Sequence, residues 1–197
     1  VGALAMDHLG NLYAGDYRVS KWDGAAWSTV GSPMNRGIAA LAVSQAGIIY
    51  AGGEFTSVGG TTVNHIAQWN GSDWAPFGTG VQGNVSRVYA LAVDHDDNLY
   101  VGGSFSSIDG TAANAVAQWN GHAWSGLNGG VSDHVFAFAV DQENDLYVGG
   151  LFVFAGTVAA YNVARWDGSA WSSPGGGVGI QGLVPSLAAI ESSAADQ

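Results

Sequence analysis

All 8 tryptophans of this 197-residue chain fall in pairs five residues apart: Trp22 and Trp27, Trp69 and Trp74, Trp119 and Trp124, Trp166 and Trp171. The first members are spaced by 47, 50 and 47 residues. A fixed period of that length marks a repeat architecture, in which each unit buries its apolar face against the next. The rest of the unit keeps step with the tryptophans. A Tyr-centred segment precedes each pair, at residues 11–13, 48–50, 98–100 and 145–147. Before it comes a small-residue apolar stretch, at residues 3–6, 40–43, 90–93 and 137–140. A fifth copy of this opening is legible at residues 184–190.

Each unit reads as four short strands. In the third copy, residues 88–93 alternate large and small side chains at period two, residues 94–98 form a turn cluster, and residues 99–105 are rich in Tyr and Val. The third strand covers residues 115–119, and the fourth carries the second tryptophan. Between them every copy has Asp-Gly or Asn-Gly, at 23–24, 70–71, 120–121 and 167–168. That dipeptide predicts a two-residue type I′ hairpin. Such a loop pairs Trp22 with Ala25 and Trp27 with Ser20, leaving the two indoles diagonal on one face. No segment has convincing helical periodicity. Four small sheets, each with two large aromatics on one face, are predicted to stack as the blades of an all-β propeller of four-stranded antiparallel blades. The blades are placed at residues 1–35, 36–83, 84–131 and 132–180, with an extra closing strand and tail over 181–197.

The third copy, with Leu91 to Asp94, Asn98 to Phe105, Val116 to Gly121 and Trp124, resembles the Kelch/NHL-type propeller repeats of bacterial secreted and surface proteins. It is similar also to the repeats of the fungal cortical polarity marker. The resemblance covers nearly the whole chain and implies a fold. Such repeats occur mostly in proteins of adhesive or unassigned role, so it brings no catalytic residues with it.

The copies differ in one place. From Tyr13 to Trp22 is nine residues, whereas Tyr50 to Trp69, Tyr100 to Trp119 and Tyr147 to Trp166 are each nineteen. The extra ten lie between the second and third strands, polar at 55–64 and 105–114 and apolar at 152–161. Function on a propeller collects on such loops, so Thr56, Ser57, Asn64, Ser106, Ser107 and Asn114 are the candidate ligand-binding residues. The alternative is a twisted hairpin that only covers a blade edge. Ring closure is open as well. Four complete units make a four-bladed disc with a surplus strand; in a larger ring that strand begins the next blade and the chain is a fragment; a second copy can also close the ring.

Composition excludes several chemistries. Five Lys and Arg against 16 Asp and Glu give a net charge of −11, which disfavours nucleic acid and anionic membrane surfaces as partners. With no cysteine there is no disulfide framework, thiol catalysis or Cys-based zinc site, and no apolar run approaches the ~18 residues of a membrane span. Only 11% of residues are charged, against roughly 25% in ordinary domains. That low charge, one lysine, richness in Ser, Thr, Asn and Gly, and the family resemblance point to a secreted or cell-surface location. No signal peptide is present, so the sequence reads as a mature product or a piece of something longer.

Two turns carry candidate metal ligands. Asp94, Asp96 and Asn98 stand at alternate positions, as do Asp141, Glu143 and Asp145, and hard oxygens so spaced can serve calcium. The competing reading is ordinary turn chemistry. The 5 histidines form no metal-ligand spacing, and no Gly-x-Ser-x-Gly elbow occurs. The Asp-Gly turn misses the sialidase Asp box. The tryptophans suit either sugar stacking or inter-blade packing. Three classes of function therefore stand: a non-catalytic extracellular module binding a glycan or protein ligand, a structural or assembly unit of a larger surface protein or fibre that extends to homo-oligomers, and an enzyme with its site on the axis.

Overall fold

In a computed structural model, residues 2–83, 86–176 and 184–187 are described. Four four-stranded antiparallel sheets follow one another along the chain, one per repeat, with strands in consecutive order. Blade 1 comprises Ala3–Met6, Leu12–Gly15, Val19–Trp22 and Trp27–Val30. Blade 2 comprises Ile38–Val43, Ile49–Gly53, Ile66–Trp69 and Trp74–Pro76. Blade 3 comprises Arg87–Val93, Leu99–Ser104, Val116–Trp119 and Trp124–Gly126. Blade 4 comprises Val135–Val140, Leu146–Gly150, Val163–Trp166 and Trp171–Ser172. The first strands of successive blades lie side by side. The fold is the all-β propeller type that the repeat predicts.

The core consists of three apolar layers, one at each joint between blades. Tyr13, Ile38, Leu41 and Trp74 meet between blades 1 and 2; Tyr50, Val88, Leu99 and Trp124 between blades 2 and 3; Tyr100, Val135, Leu146 and Trp171 between blades 3 and 4. A glycine in each second strand lets the next blade close in. A Cβ on Gly52 would lie 2.3 Å from Val88 Cγ1, and one on Gly102 would lie 2.5 Å from Val135 Cγ1. Residues 184–187 repeat this contact on blade 4, where a Cβ on Gly149 would meet Val184 Cγ1 at 2.7 Å and Leu187 Cδ1 at 3.1 Å. The opening of a fifth unit thus sits where a fifth blade would begin. Residues 188–190 of that predicted strand, and most of the 181–197 tail, lie outside the described residues.

The opposite end of the stack is bare. Leu4, Met6, Leu9 and Trp27 on blade 1 are 61%, 66%, 75% and 53% exposed. Their counterparts Leu41 and Trp74 in blade 2 are buried beneath blade 1. Among the described residues no blade covers this face.

The Asp-Gly and Asn-Gly turns depart from the predicted type. Trp22 pairs directly with Trp27, and each later pair does the same, so the loop has four residues. The cause is the side chain before the glycine. Asp23 Oδ1 accepts the N–H groups of Ala25 (2.9 Å) and Ala26 (2.8 Å), and Asn70, Asn120 and Asp167 do likewise in their copies. Only the glycine takes a positive φ, whereas a type I′ turn needs two. Asx capping thus replaces the tighter turn, and the indoles stand opposite each other with centroids 5.2–5.8 Å apart.

Candidate functional site

Antiparallel strands give the row of blades two unlike faces. The turns at 94–98 and 141–145 lie on one, and the long excursions between second and third strands on the other. Each excursion folds back as a two-rung hairpin, Ser57–Val58 with Thr61–Thr62, Ser107–Ile108 with Thr111–Ala112, and Phe154–Ala155 with Val158–Ala159. Buried Phe55, Phe105 and Phe152 anchor them. Each hairpin also pairs with the linker entering its own blade, through Met34 opposite Val58, Val81 opposite Ile108 and Val131 opposite Ala155.

Much of the polarity in these loops is spent internally. Asn35 Oδ1 accepts the N–H groups of Thr56 and Ser57, and its amide donates to Thr56 Oγ1 at 2.9 Å. Asn64 donates to the Thr79 carbonyl at 2.7 Å, and Asn114 to that of Gly129 at 3.0 Å, tying the entry of each third strand to the exit of its blade. Ser106 and Ser107 lean on Gln82. Of the six ligand-binding candidates, Thr56 and Asn114 each line a groove, and Ser57, Asn64, Ser106 and Ser107 line neither.

Those grooves run between successive blades on the loop face. The one between blades 2 and 3 encloses about 390 Å³ and is lined by Arg36, Glu54, Thr56, His65, Ser86 and Arg87. Arg87 pairs with Glu54 at 3.0 Å. Burial, with Arg36 and Arg87 adding to it, holds the His65 imidazole below its ordinary range, so the ring is neutral at neutral pH. The groove between blades 3 and 4 encloses about 320 Å³ and presents Ser104, Asn114, Ser132, Asp133 and His134. Burial raises the Asp133 carboxyl, but the His134 ring and N–H outweigh it and hold the group below the usual range.

Three β-bulges aim side chains at the axis. The ladder slips at Ala39, Tyr89 and Phe136, aligned positions near the start of the first strands of blades 2, 3 and 4. A bulged residue is unpaired and re-aimed. Tyr89 and Phe136 lie with ring centroids 5.2 Å apart, and the His134 ring stacks on both, at 6.4 and 6.1 Å. This aromatic trio stands where the axial cavity, about 240 Å³ and ringed by the first strands together with Ser186 and Leu187, meets the groove of blade 4. Sequence reasoning missed Arg36, Arg87, His65, His134, Tyr89 and Phe136. The signal was available: at the aligned bulge position the copies change from Ala39 to Tyr89 and Phe136 while the surrounding frame stays fixed.

On the opposite face the acidic turns are joinery. Asp94, buried, accepts the N–H groups of Asp96 and Asn98 on Oδ1, and Asn98 Nδ2 and Tyr100 OH on Oδ2. Asp141 accepts the N–H groups of Glu143 and Asp145, and Asp145 Oδ2 is held by Arg165. Asp96 Oδ2 bonds Asn144 of the next blade at 2.8 Å. Among the described residues no three acidic or histidine side chains converge as a metal would require. In these turns Asp94 has both carboxylate oxygens engaged, and Asp145 is matched by a guanidinium.

No protein-family model and no curated protein matches the sequence. Solved structures do. The chain is similar to PorZ, a surface component of the type-IX secretion system of Porphyromonas gingivalis, with TM-score 0.52 and 16% identity over 82% of this chain. It spans only 24% of PorZ. A putative oxidoreductase (glucose dehydrogenase) from Thermus thermophilus gives TM-score 0.49 and 17% identity, covering 80% of this chain and 64% of that one. A GH74 enzyme from Niastella koreensis gives 0.42 and 14%, covering 96% and 34%. At this identity the PorZ likeness speaks to the fold alone.

Proposed function

We propose that this chain is a non-catalytic extracellular binding module of Kelch/NHL-type repeats that recognises a glycan on its loop face. One observation carries the reading: Tyr89 and Phe136, half-buried on consecutive bulges, adjoin a groove of Asp133, His134, Ser104 and Asn114. A sugar offers an apolar C–H face and a rim of hydroxyls, and this pairing of ring faces with short polar side chains complements both. Thr56 and Asn114 then contribute from the grooves. The surface setting of PorZ agrees with an extracellular location. A glycan array probed with labelled protein tests the reading. Saturable binding to one sugar class, lost in Tyr89→Ala and Phe136→Ala while folding is kept, is expected; a blank array overturns it. Repeating the array with a chelator tests calcium at the turns.

The bare face of blade 1 supports a second reading, a structural or assembly unit. Its Leu4, Met6, Leu9 and Trp27 form the kind of contiguous apolar surface that marks an interaction site. Sedimentation over a range of concentrations tests it: association weakened by Trp27→Ser and Leu4→Ser is the expected result, and a monomer at all concentrations removes self-assembly.

A further inference from the structure

The groove between blades 2 and 3 differs from its neighbour in charge. The chain carries 16 acids and five Lys and Arg, so its overall field repels anions. Yet Arg36 and Arg87, two of the five cations, line one groove, where Glu54 is the one carboxylate among the described residues of the wall. In the next groove the matching positions change: Ser104 stands for Glu54, Ala115 for His65 and His134 for Arg87. The charge is thus particular to this joint and is no property of the repeat.

The cations there are unequally committed. Arg87 is paired with Glu54 at 3.0 Å, while Arg36 is exposed and makes no ion pair among the described residues. His65 is held neutral by its burial and by both arginines, so the positive charge of the groove is that of the arginines. Thr56 Oγ1 accepts from Asn35 and keeps its own proton to donate. A planar guanidinium with a free fork and nearby hydroxyls matches a carboxylate, which it grips through two parallel bonds. The groove, about 390 Å³, falls within the range of small-ligand sites.

We infer that this groove is a carboxylate-binding site that takes the uronate residue of an acidic glycan, with Arg36 as its cation and Thr56 and Ser86 as hydroxyl partners. The carboxylate half stands on the groove alone, and the sugar half rests on the glycan reading above.

The four arginines give four Nε–H signals in a ¹⁵N-labelled sample, which makes the test direct. The probes are D-glucuronate, sodium acetate and D-glucose. Glucuronate is expected to shift the Arg36 signal saturably, acetate to shift it more weakly, and glucose to leave it in place. Arg36→Gln should weaken glucuronate binding at least tenfold without moving the thermal midpoint, because Arg36 is exposed and makes no ion pair among the described residues. If neither anion moves Arg36 or Arg87, the carboxylate site is overturned. Glucuronate binding no tighter than acetate overturns the sugar half alone. Array binding through Tyr89 is read separately, so the glycan reading can fail while the carboxylate site holds, and the reverse.

Discussion

Trp74 of blade 2 donates its indole N–H to the Val30 carbonyl at the end of blade 1, 3.1 Å away, and Trp171 does the same to Leu127 at 2.7 Å. At the middle joint Trp124 instead lies edge-on to Phe77, centroids 5.3 Å apart. The second tryptophan of repeats 2, 3 and 4 is therefore the rivet to the preceding blade, and Trp27 is the copy that no described residue covers in this way. Trp74→Phe removes a buried bond and strands a carbonyl, which should cost about 1–3 kcal/mol. Trp27→Phe, at a position 53% exposed, should stay within about 0.5 kcal/mol. Urea unfolding of the two variants checks the contrast.

A second clip joins the turns. Asp97 Oδ1 accepts the N–H of Gln45 at 2.6 Å, and Asn144 Oδ1 accepts that of His95 at 2.9 Å, each reaching back one blade from a position of positive φ. Gly47 holds the equivalent place in blade 2 and has no side chain to reach with. Asp97→Ala should cost about 1–2 kcal/mol, since it loses a charge-assisted bond and leaves alanine in the left-handed region. Asp97→Asn keeps an acceptor and should cost less. Amide exchange at Gln45 and Ala46 is the specific readout, and protection there should fall in the alanine variant only.

Tyrosine ionisation sets the alkaline limit. Burial, then the charge of Asp94 and the bond to it, drive the Tyr100 hydroxyl far above its ordinary range, and burial also raises Tyr13 and Tyr50. A folded-state value above the unfolded one, about 10, gives stability that is complete below that pH. It is lost as pH climbs toward the folded-state value. Unfolding in base should therefore begin above about pH 10. Tyr100→Phe should make stability less steeply dependent on pH there, although the variant starts lower for want of two hydrogen bonds, to Asp94 and from Gln118. Denaturation midpoints across that range check this.

The architecture was readable because packing between blades imposes a strict period on bulky residues, and Trp22, Trp69, Trp119 and Trp166 keep it. The details that went unread depend on single side chains with short reach. Asp23 widens its own loop by accepting two N–H groups, and no propensity for Asp-Gly reveals that. Asn64 and Asn114 each give one amide bond to the carbonyls of Thr79 and Gly129, a tie that no motif announces. Tyr89 and Phe136 sit within ordinary strands, and only the bulge turns them toward the axis. The candidate site is thus built from departures from the repeat, which a search for likeness passes over.

Gly102 and Gly149 ask how firmly the last segment is held. A Cβ on Gly102 would lie 2.5 Å from Val135 Cγ1 and 2.6 Å from Phe138 Cζ, side chains fixed in the first strand of a complete blade. Overpacking of that kind costs about 1–3 kcal/mol, and Gly102→Ala should lose that much. A Cβ on Gly149 would meet Val184 and Leu187, which the described residues show in no ladder. Residues free to shift relieve the clash, so Gly149→Ala should cost less than half as much. Equal losses in the two variants would mean that residues 184–187 are clamped as tightly as a finished blade. The measurement therefore separates a loosely apposed segment from the first strand of a closed ring.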